Sequence, residues 1–392
     1  MSKKLLAIFL LFTLLLPSVF AVESGESWAR LYKRLDDIDQ KHAVLQNIVS
    51  LDDRSLESFL SSSLDDLVYG NLSYFRENRA TYDSWEALVR TLVKELGDIK
   101  AQSASSTIMD IVETTDSSLL KAEAMVALGR MRALEYAPDI ALILRNLNFN
   151  TRGDLASAEI EAYGAVVALE RLRDDVGFEP LFYATVGWYR DRVTTDAERA
   201  LLSFDDVASR LNTILLSASD YREKRQCLEL ALRSDASAEQ KAQIITTSLQ
   251  EGLRYAESDA TRARRLAELR LAAMKGMVDT KLTTEALPAL LKEVLEERSS
   301  DEALLAILAL GADGGDEAVE ILSQRIRYYN DRQASGLGLT FEEDSTLRQL
   351  IFALGEAGNE KGLMALKEMT YFNYTPGITR QAREAVKRIS GE

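Results

Sequence analysis

Between Leu119 and Leu144 the apolar positions follow a helical period. Leu120, Ala124, Ala127, Leu128 and Met131 fall at i, i+4, i+7, i+8 and i+11, one face of a helix with 3.6 residues per turn. Ile140, Ile143, Leu144 and Leu147 fall at i, i+3, i+4 and i+7, the face of a second helix. Gly129 stands where the first helix should begin to end, and Pro138 where the next should start. Neither helix can hide its apolar face alone, so the unit has to stack on copies of itself.

Those copies are present. Ala127-Leu128-Gly129 recurs as Ala168-Leu169-Glu170, Ala309-Leu310-Gly311 and Ala353-Leu354-Gly355. Looser copies are Glu95-Leu96-Gly97, Ala231-Leu232-Arg233 and Ala273-Met274-Lys275. From residue 95 onward the anchors are 32, 41, 63, 42, 36 and 44 residues apart. Periods near forty built from helix pairs predict an all-α fold, an α-solenoid of about seven or eight pairs. The long step of 63 residues predicts an extra helix or a long loop around residues 190–205. Helix starts with capping-box spacing are Asp83 with Glu86, Thr195 with Glu198, Asp220 with Glu223, Ser237 with Gln240 and Ser299 with Glu302. Residues 22–75 read as N-terminal capping helices, 76–375 as the repeats and 376–392 as a C-terminal capping helix, all in a single domain.

The stretches Lys121–Leu144 and Asp301–Ile326 resemble the HEAT-like repeats of bacterial proteins, including the phycobilisome-lyase type. In that family an alanine-rich first helix ends in Ala-Leu-Gly, a short acidic turn follows, and the second helix is more aliphatic. The resemblance covers roughly residues 80–390 and weakens where Glu170, Arg233 and Lys275 replace the glycine. It implies a curved solenoid used for protein–protein contact, and it transfers no catalytic residue.

Charge narrows the partners. Lys3 and Lys4 precede an apolar run from Leu5 to Leu16, then Pro17 and Val19-Phe20-Ala21, the layout of a secretory signal cleaved after Ala21. The run of 12 residues is short of the roughly 20 that span a bilayer. The expectation is export, periplasmic or secreted, with no stable membrane insertion after cleavage. Removal of two lysines leaves 45 Lys and Arg against 62 Asp and Glu, a net of −17. That surface repels phosphate backbones, so nucleic acid is not an expected partner. Arg262, Arg264, Arg265 and Arg270 read as the solvated face of one helix.

Catalytic chemistry finds no footing in the sequence, and the expectation is no enzyme, no cofactor and no metal. No GxSxG, GxxxxGK[ST], HExxH or paired CxxC occurs. Cys227 is the one cysteine and His42 the one histidine. Cys227 lies on an apolar helix face and reads as a small buried hydrophobe. Asp36, Asp39 and His42 spiral around a helix instead of sharing a face. Gly311–Glu320 lacks EF-hand ligand spacing and reads as a repeat turn with Asp316 capping the second helix.

Aromatic and asparagine residues recur just after the second helix of many repeats. They are Tyr69, Tyr74 and Phe75; Phe149; Trp188 and Tyr189; Tyr255; Tyr328 and Tyr329; and Tyr371, Phe372 and Tyr374. Asn148, Asn150, Asn330 and Asn373 accompany them, and the glycine-bearing stretch Asn330–Asp344 is expected to be mobile. In a helix-pair solenoid these turns share one edge. The expected binding residues are therefore Tyr74, Phe75, Phe149, Trp188, Tyr189, Tyr328, Tyr329, Tyr371 and Phe372. The expected function is a scaffold for a protein or extended peptide, held on the concave face, built by the second helices, and on this edge. The alternatives are stacking of cell-wall glycan on the rings, or a lyase-like activity.

Overall fold

A computed structural model describes residues 25–70, 79–150 and 153–391. The expected signal segment, and Tyr74 and Phe75, lie outside the described residues. Those residues form helices and no strand, packed in series as an all-α solenoid. The helices fall into two compact units that meet in sequence at Phe204 and Asp205.

In the first unit, α1 (25–34), α2 (Ile38–Ser50) and α3 (Glu57–Asp65) precede the repeats. Three helix pairs follow: α4 (Arg79–Ile99) with α5 (Ser105–Thr114), α6 (Ser118–Met131) with α7 (Ala137–Phe149), and α8 (Leu155–Leu172) with α9 (Phe178–Val186). The unit ends on α10 (Asp191–Leu202). The second unit opens on α11 (Val207–Ser217) and holds four pairs. These are α12 (Tyr221–Arg233) with α13 (Ala238–Arg254), α14 (Ala260–Thr280) with α15 (Leu287–Glu297), α16 (Ser300–Asp313) with α17 (Asp316–Ala334), and α18 (Phe341–Ala357) with α19 (Leu363–Glu368). The expected terminal cap is α20, Pro376–Ser390.

The alanine-leucine-glycine anchor is the seam between first helices. A Cβ on Gly129 would stand 2.7 Å from the Ala168 Cα, and one on Gly97 2.9 Å from the Ala127 Cα. Gly311 meets Ala353 in the same way, at 2.9 Å. Each glycine thus packs against the alanine of the next anchor, and nothing larger than hydrogen fits. Gly129 does not end its helix, as its sequence position had suggested; α6 runs on to Met131 and Arg132 takes the left-handed terminal position. Pro138 does fall in the first turn of α7.

The long sequence step contains α10. Its buried Ala200 and Leu201 sit 32 residues after Ala168 and 31 before Ala231, an anchor with no glycine to betray it. Where the glycine is missing, at Glu170, α8 reaches α10 by charge instead: Arg199 Nε and Nη2 donate to the Glu170 carboxylate at 2.9 and 3.1 Å. That guanidinium holds the Glu170 carboxyl below its usual range.

Three of the expected caps form, at Asp220, Ser237 and Ser299, whereas Asp83 and Thr195 lie inside helices. Asp316 does not cap α17; its carboxylate takes hydrogen bonds from Asn359 Nδ2 at 3.1 Å and Lys361 Nζ at 2.6 Å in the next repeat. Arg270 is not solvated. It is buried, with Nε 2.6 Å from Glu302 Oε2 and Nη1 donating to the Gly252 carbonyl at 2.8 Å. Cys227 is buried, and burial pushes its thiol pKa up. His42 Nε2 sits 2.9 Å from Thr91 Oγ1.

Candidate functional site

Antiparallel pairing gives each unit two edges. At one, first helices end and second helices begin. At the other, second helices end and the next first helix begins.

The second of these carries most of the aromatic residues, although Tyr328 and Tyr329, expected in the turn, lie inside α17, and the structure divides them. After α9, the half-buried Trp188 donates from Nε1 to the Leu147 carbonyl at 3.0 Å. Tyr189 is buried, and its hydroxyl donates to Asn148 Oδ1 at 3.0 Å. Asn148 is buried too and spends its Nδ2 on the Pro180 carbonyl at 2.8 Å. The second unit repeats the device: the buried Tyr374 donates to Asn330 Oδ1 at 2.9 Å. These tyrosines bridge successive second helices. Burial pushes the Tyr189 hydroxyl pKa up and that of Tyr374 to about 12.

Adjacent residues differ in burial even where their rings touch. Tyr329 is 3% exposed while Tyr328 stands out, their rings 5.4 Å apart edge to face. The Arg325 guanidinium lies 5.1 Å from the Tyr328 ring centroid. Phe149 is exposed and leans on Tyr183 at 5.1 Å. Tyr371 is exposed and Phe372 half-buried. Tyr189 and Tyr329 therefore present no ring face to a ligand, whereas Phe149, Tyr328 and Tyr371 do.

Two exposed apolar residues on this edge were not among those expected, Leu337 and Phe341. The stretch Asn330–Asp344 is shorter as a connector than its sequence suggested: α17 runs to Ala334 and α18 starts at Phe341. A full capping box between Thr340 and Glu343 fixes that start. The Thr-Phe-Glu-Glu spacing was the available signal, since a box at Thr340 puts Phe341 in the first turn with free space around it.

The other edge of the first unit carries a groove of about 940 Å³ that crosses three repeats. It is lined by Asp98 and Lys100 at the end of α4, Arg130, Arg132 and Leu134 at the end of α6, and Glu170, Arg171 and Arg173 at the end of α8. Lys100, Arg132 and Arg173 each terminate a first helix in the left-handed region, with φ of 62°, 59° and 53°. Their backbone N–H groups close the helix ends on Gly97, Gly129 and Leu169 carbonyls at 3.2, 3.2 and 3.0 Å. The groove's other charges are engaged: Arg130 pairs with Asp98 at 2.6 Å, and Glu170 with Arg199. Desolvation in the groove, and then the charge of Arg130, hold the Arg171 guanidinium below its usual pKa. Lys100, Arg132 and Arg173 make no side-chain hydrogen bond or ion pair among the described residues.

These three cations escaped the sequence reading, although a signal was there. Each follows its anchor alanine or glutamate by five residues, at Glu95, Ala127 and Ala168. Five residues after Ala309 and Ala353 stand Gly314 and Gly358, both with φ of 65°. Comparison with protein-family models gives no match, and neither does comparison with curated proteins.

Proposed function

We propose that this chain is a non-enzymatic scaffold that holds a protein or extended peptide against the aromatic edge of its second unit. The observation that carries the reading is the exposure of Phe341 (90%), Tyr371 (83%) and Leu337 (72%) on that edge. Covering such side chains is worth about 1.5–3 kcal/mol each, and folding leaves that gain unused. Tyr328 with Arg325 over its ring belongs to the same edge, and tyrosine and arginine are types that dominate binding energy at interfaces. The rings are presented on fixed backbone: the capping box sets Phe341, and Gln333 Nε2 donates to the Asn373 carbonyl at 2.7 Å beside Tyr371.

Glycan stacking gains less support, because Asn148 and Asn330 are turned inward onto tyrosine hydroxyls. The proposal includes export. Its check is N-terminal sequencing from fractionated cells, which should find a chain beginning at Val22 in the envelope; a chain retaining Met1 in the cytosol would remove that part.

The binding reading is tested with a random-peptide phage library selected on immobilised residues 22–392. Enriched peptides should bind the native chain and lose at least tenfold on Phe341→Ser/Tyr371→Ser, with circular dichroism unchanged. Equal binding to both would take the site off this edge. Retention on isolated cell wall without peptide enrichment would replace the reading with the glycan one.

A further inference from the structure

Three unpaired cations in a row, on a chain with a net charge of −15, call for a reason. Local structure does not supply one. The left-handed position that ends a first helix favours glycine; in the second unit Gly314 and Gly358 hold it at two ends and Lys281 at a third. The first unit places Lys100, Arg132 and Arg173 there instead, against that backbone preference. For Arg132 and Arg173, attraction to the negative helix end is not a sufficient cause, because Arg130 and Arg171 already serve it from inside α6 and α8; α4 has no basic residue in its last turn. The side chains that disfavoured backbone holds out are solvent-exposed and face one groove.

We propose that this groove binds an extended acidic peptide segment, one carboxylate to each of Lys100, Arg132 and Arg173. The groove's own contacts show the chemistry: Arg130 sits on the Asp98 carboxylate, and the groove's Glu170 is held by Arg199 from outside it. Arginine forks onto carboxylate oxygens in pairs, which fixes direction as well as charge. Spacing fits an extended chain. Packed helix axes lie about 8–10 Å apart, and a polyproline II strand repeats every three residues, about 9.3 Å. Acidic residues at every third position would thus meet one cation per repeat on a single face. Leu134, 51% exposed in the groove, offers an aliphatic contact that a peptide side chain can use and a phosphate polymer cannot. A long polyanion would also meet the chain's net charge of −15 beyond the groove. This proposal is independent of the aromatic edge in the second unit.

Fluorescence anisotropy of a labelled 15-residue peptide of Glu-Pro-Ser repeats tests it, with the Gln-Pro-Ser peptide, inorganic polyphosphate and a single-stranded oligonucleotide alongside. The full chain is compared with Lys100→Gly/Arg132→Gly/Arg173→Gly. Glycine suits the left-handed backbone at all three positions, so the variant should melt at or above the native temperature and a loss of binding is not a loss of fold. The glutamate peptide should bind the native chain at low salt, weaken as salt rises, and lose at least tenfold on the variant. The glutamine peptide should not bind, and Phe341→Ser/Tyr371→Ser should bind the glutamate peptide as the native chain does. Equal affinity for native and triple-glycine chains, no binding of the glutamate peptide at low salt, or tighter binding of polyphosphate or oligonucleotide than of the peptide would each overturn the proposal.

Discussion

Arg132 occupies a backbone conformation that costs an ordinary side chain roughly 1–2 kcal/mol, and Lys100 and Arg173 share it. Glycine avoids that cost but gives up more chain entropy on folding, and the helix end loses a favourable cation. The balance leaves each change to glycine stabilising by on the order of 0.5 kcal/mol. Urea unfolding of the triple-glycine variant should show a gain, and a loss above about 1 kcal/mol would mean the side chains hold the fold. Tyrosines on the opposite edge divide the same way by environment. Tyr374→Phe leaves the buried Asn330 Oδ1 without its donor and should cost about 1–3 kcal/mol, while Tyr371→Phe, on an exposed ring, should change stability by less than about 0.5 kcal/mol. The division of the tyrosines was not legible in the sequence. It records aromatic and asparagine residues recurring together, and it does not record that Tyr189 and Tyr374 close inward on Asn148 and Asn330 while Tyr371 remains outside.

At the scale of the helix the sequence was far more legible, because repetition multiplies a weak signal. The face predicted for α6, from Leu120 to Met131, is buried throughout, as are Leu347, Leu350, Ile351 and Leu354 in α18. What the pattern could not convey was why glycine ends the anchor. It reads as a helix stop, yet Gly129 and Gly311 are helix interiors pressed against alanine backbone. The same logic explains why α10 is expected as an extra helix around residues 190–205 but not as a repeat anchor, since it has alanine and leucine there but no glycine, and its neighbour uses the Glu170–Arg199 pair. Gly129→Val should therefore act by overpacking, against helix propensity. A cost of about 1–3 kcal/mol from overpacking is expected, reduced by about 0.3 kcal/mol because valine is a better helix former than glycine. Gly70→Val, with open space around that glycine, should not show the overpacking loss in parallel thermal melts.

The two units differ in what they bury. Among the described residues every buried charged side chain lies in the second unit: Lys224, Glu251, Arg270 and Glu302. Lys224 reaches across from α12 to Glu251 in α13 at 3.0 Å and donates to the Leu215 carbonyl at 2.6 Å. Arg270 spans α14 and α16 through Glu302 and also holds the Gly252 carbonyl. The sequence could not pair Arg270 with Glu302, because 32 residues and a full helix pair separate them, so Arg270 read as one more solvated arginine. Removing one partner leaves an unmatched buried charge, and Glu302→Gln should cost about 3–5 kcal/mol. Removing both charges should cost much less, because the desolvation that the pair has to overcome goes with them. Glu302→Leu/Arg270→Met should then recover most of the single-variant loss. The loss it retains would measure the hydrogen bond to Gly252 and the fit of the guanidinium stem, against which a Cβ on Gly252 would stand only 2.5 Å from Arg270 Cγ. Hydrogen exchange on Glu302→Gln should show protection falling first in α14 and α16, with α6 and α8 unchanged. Uniform loss across both units would mean that these pairs hold more of the chain than the helices they join.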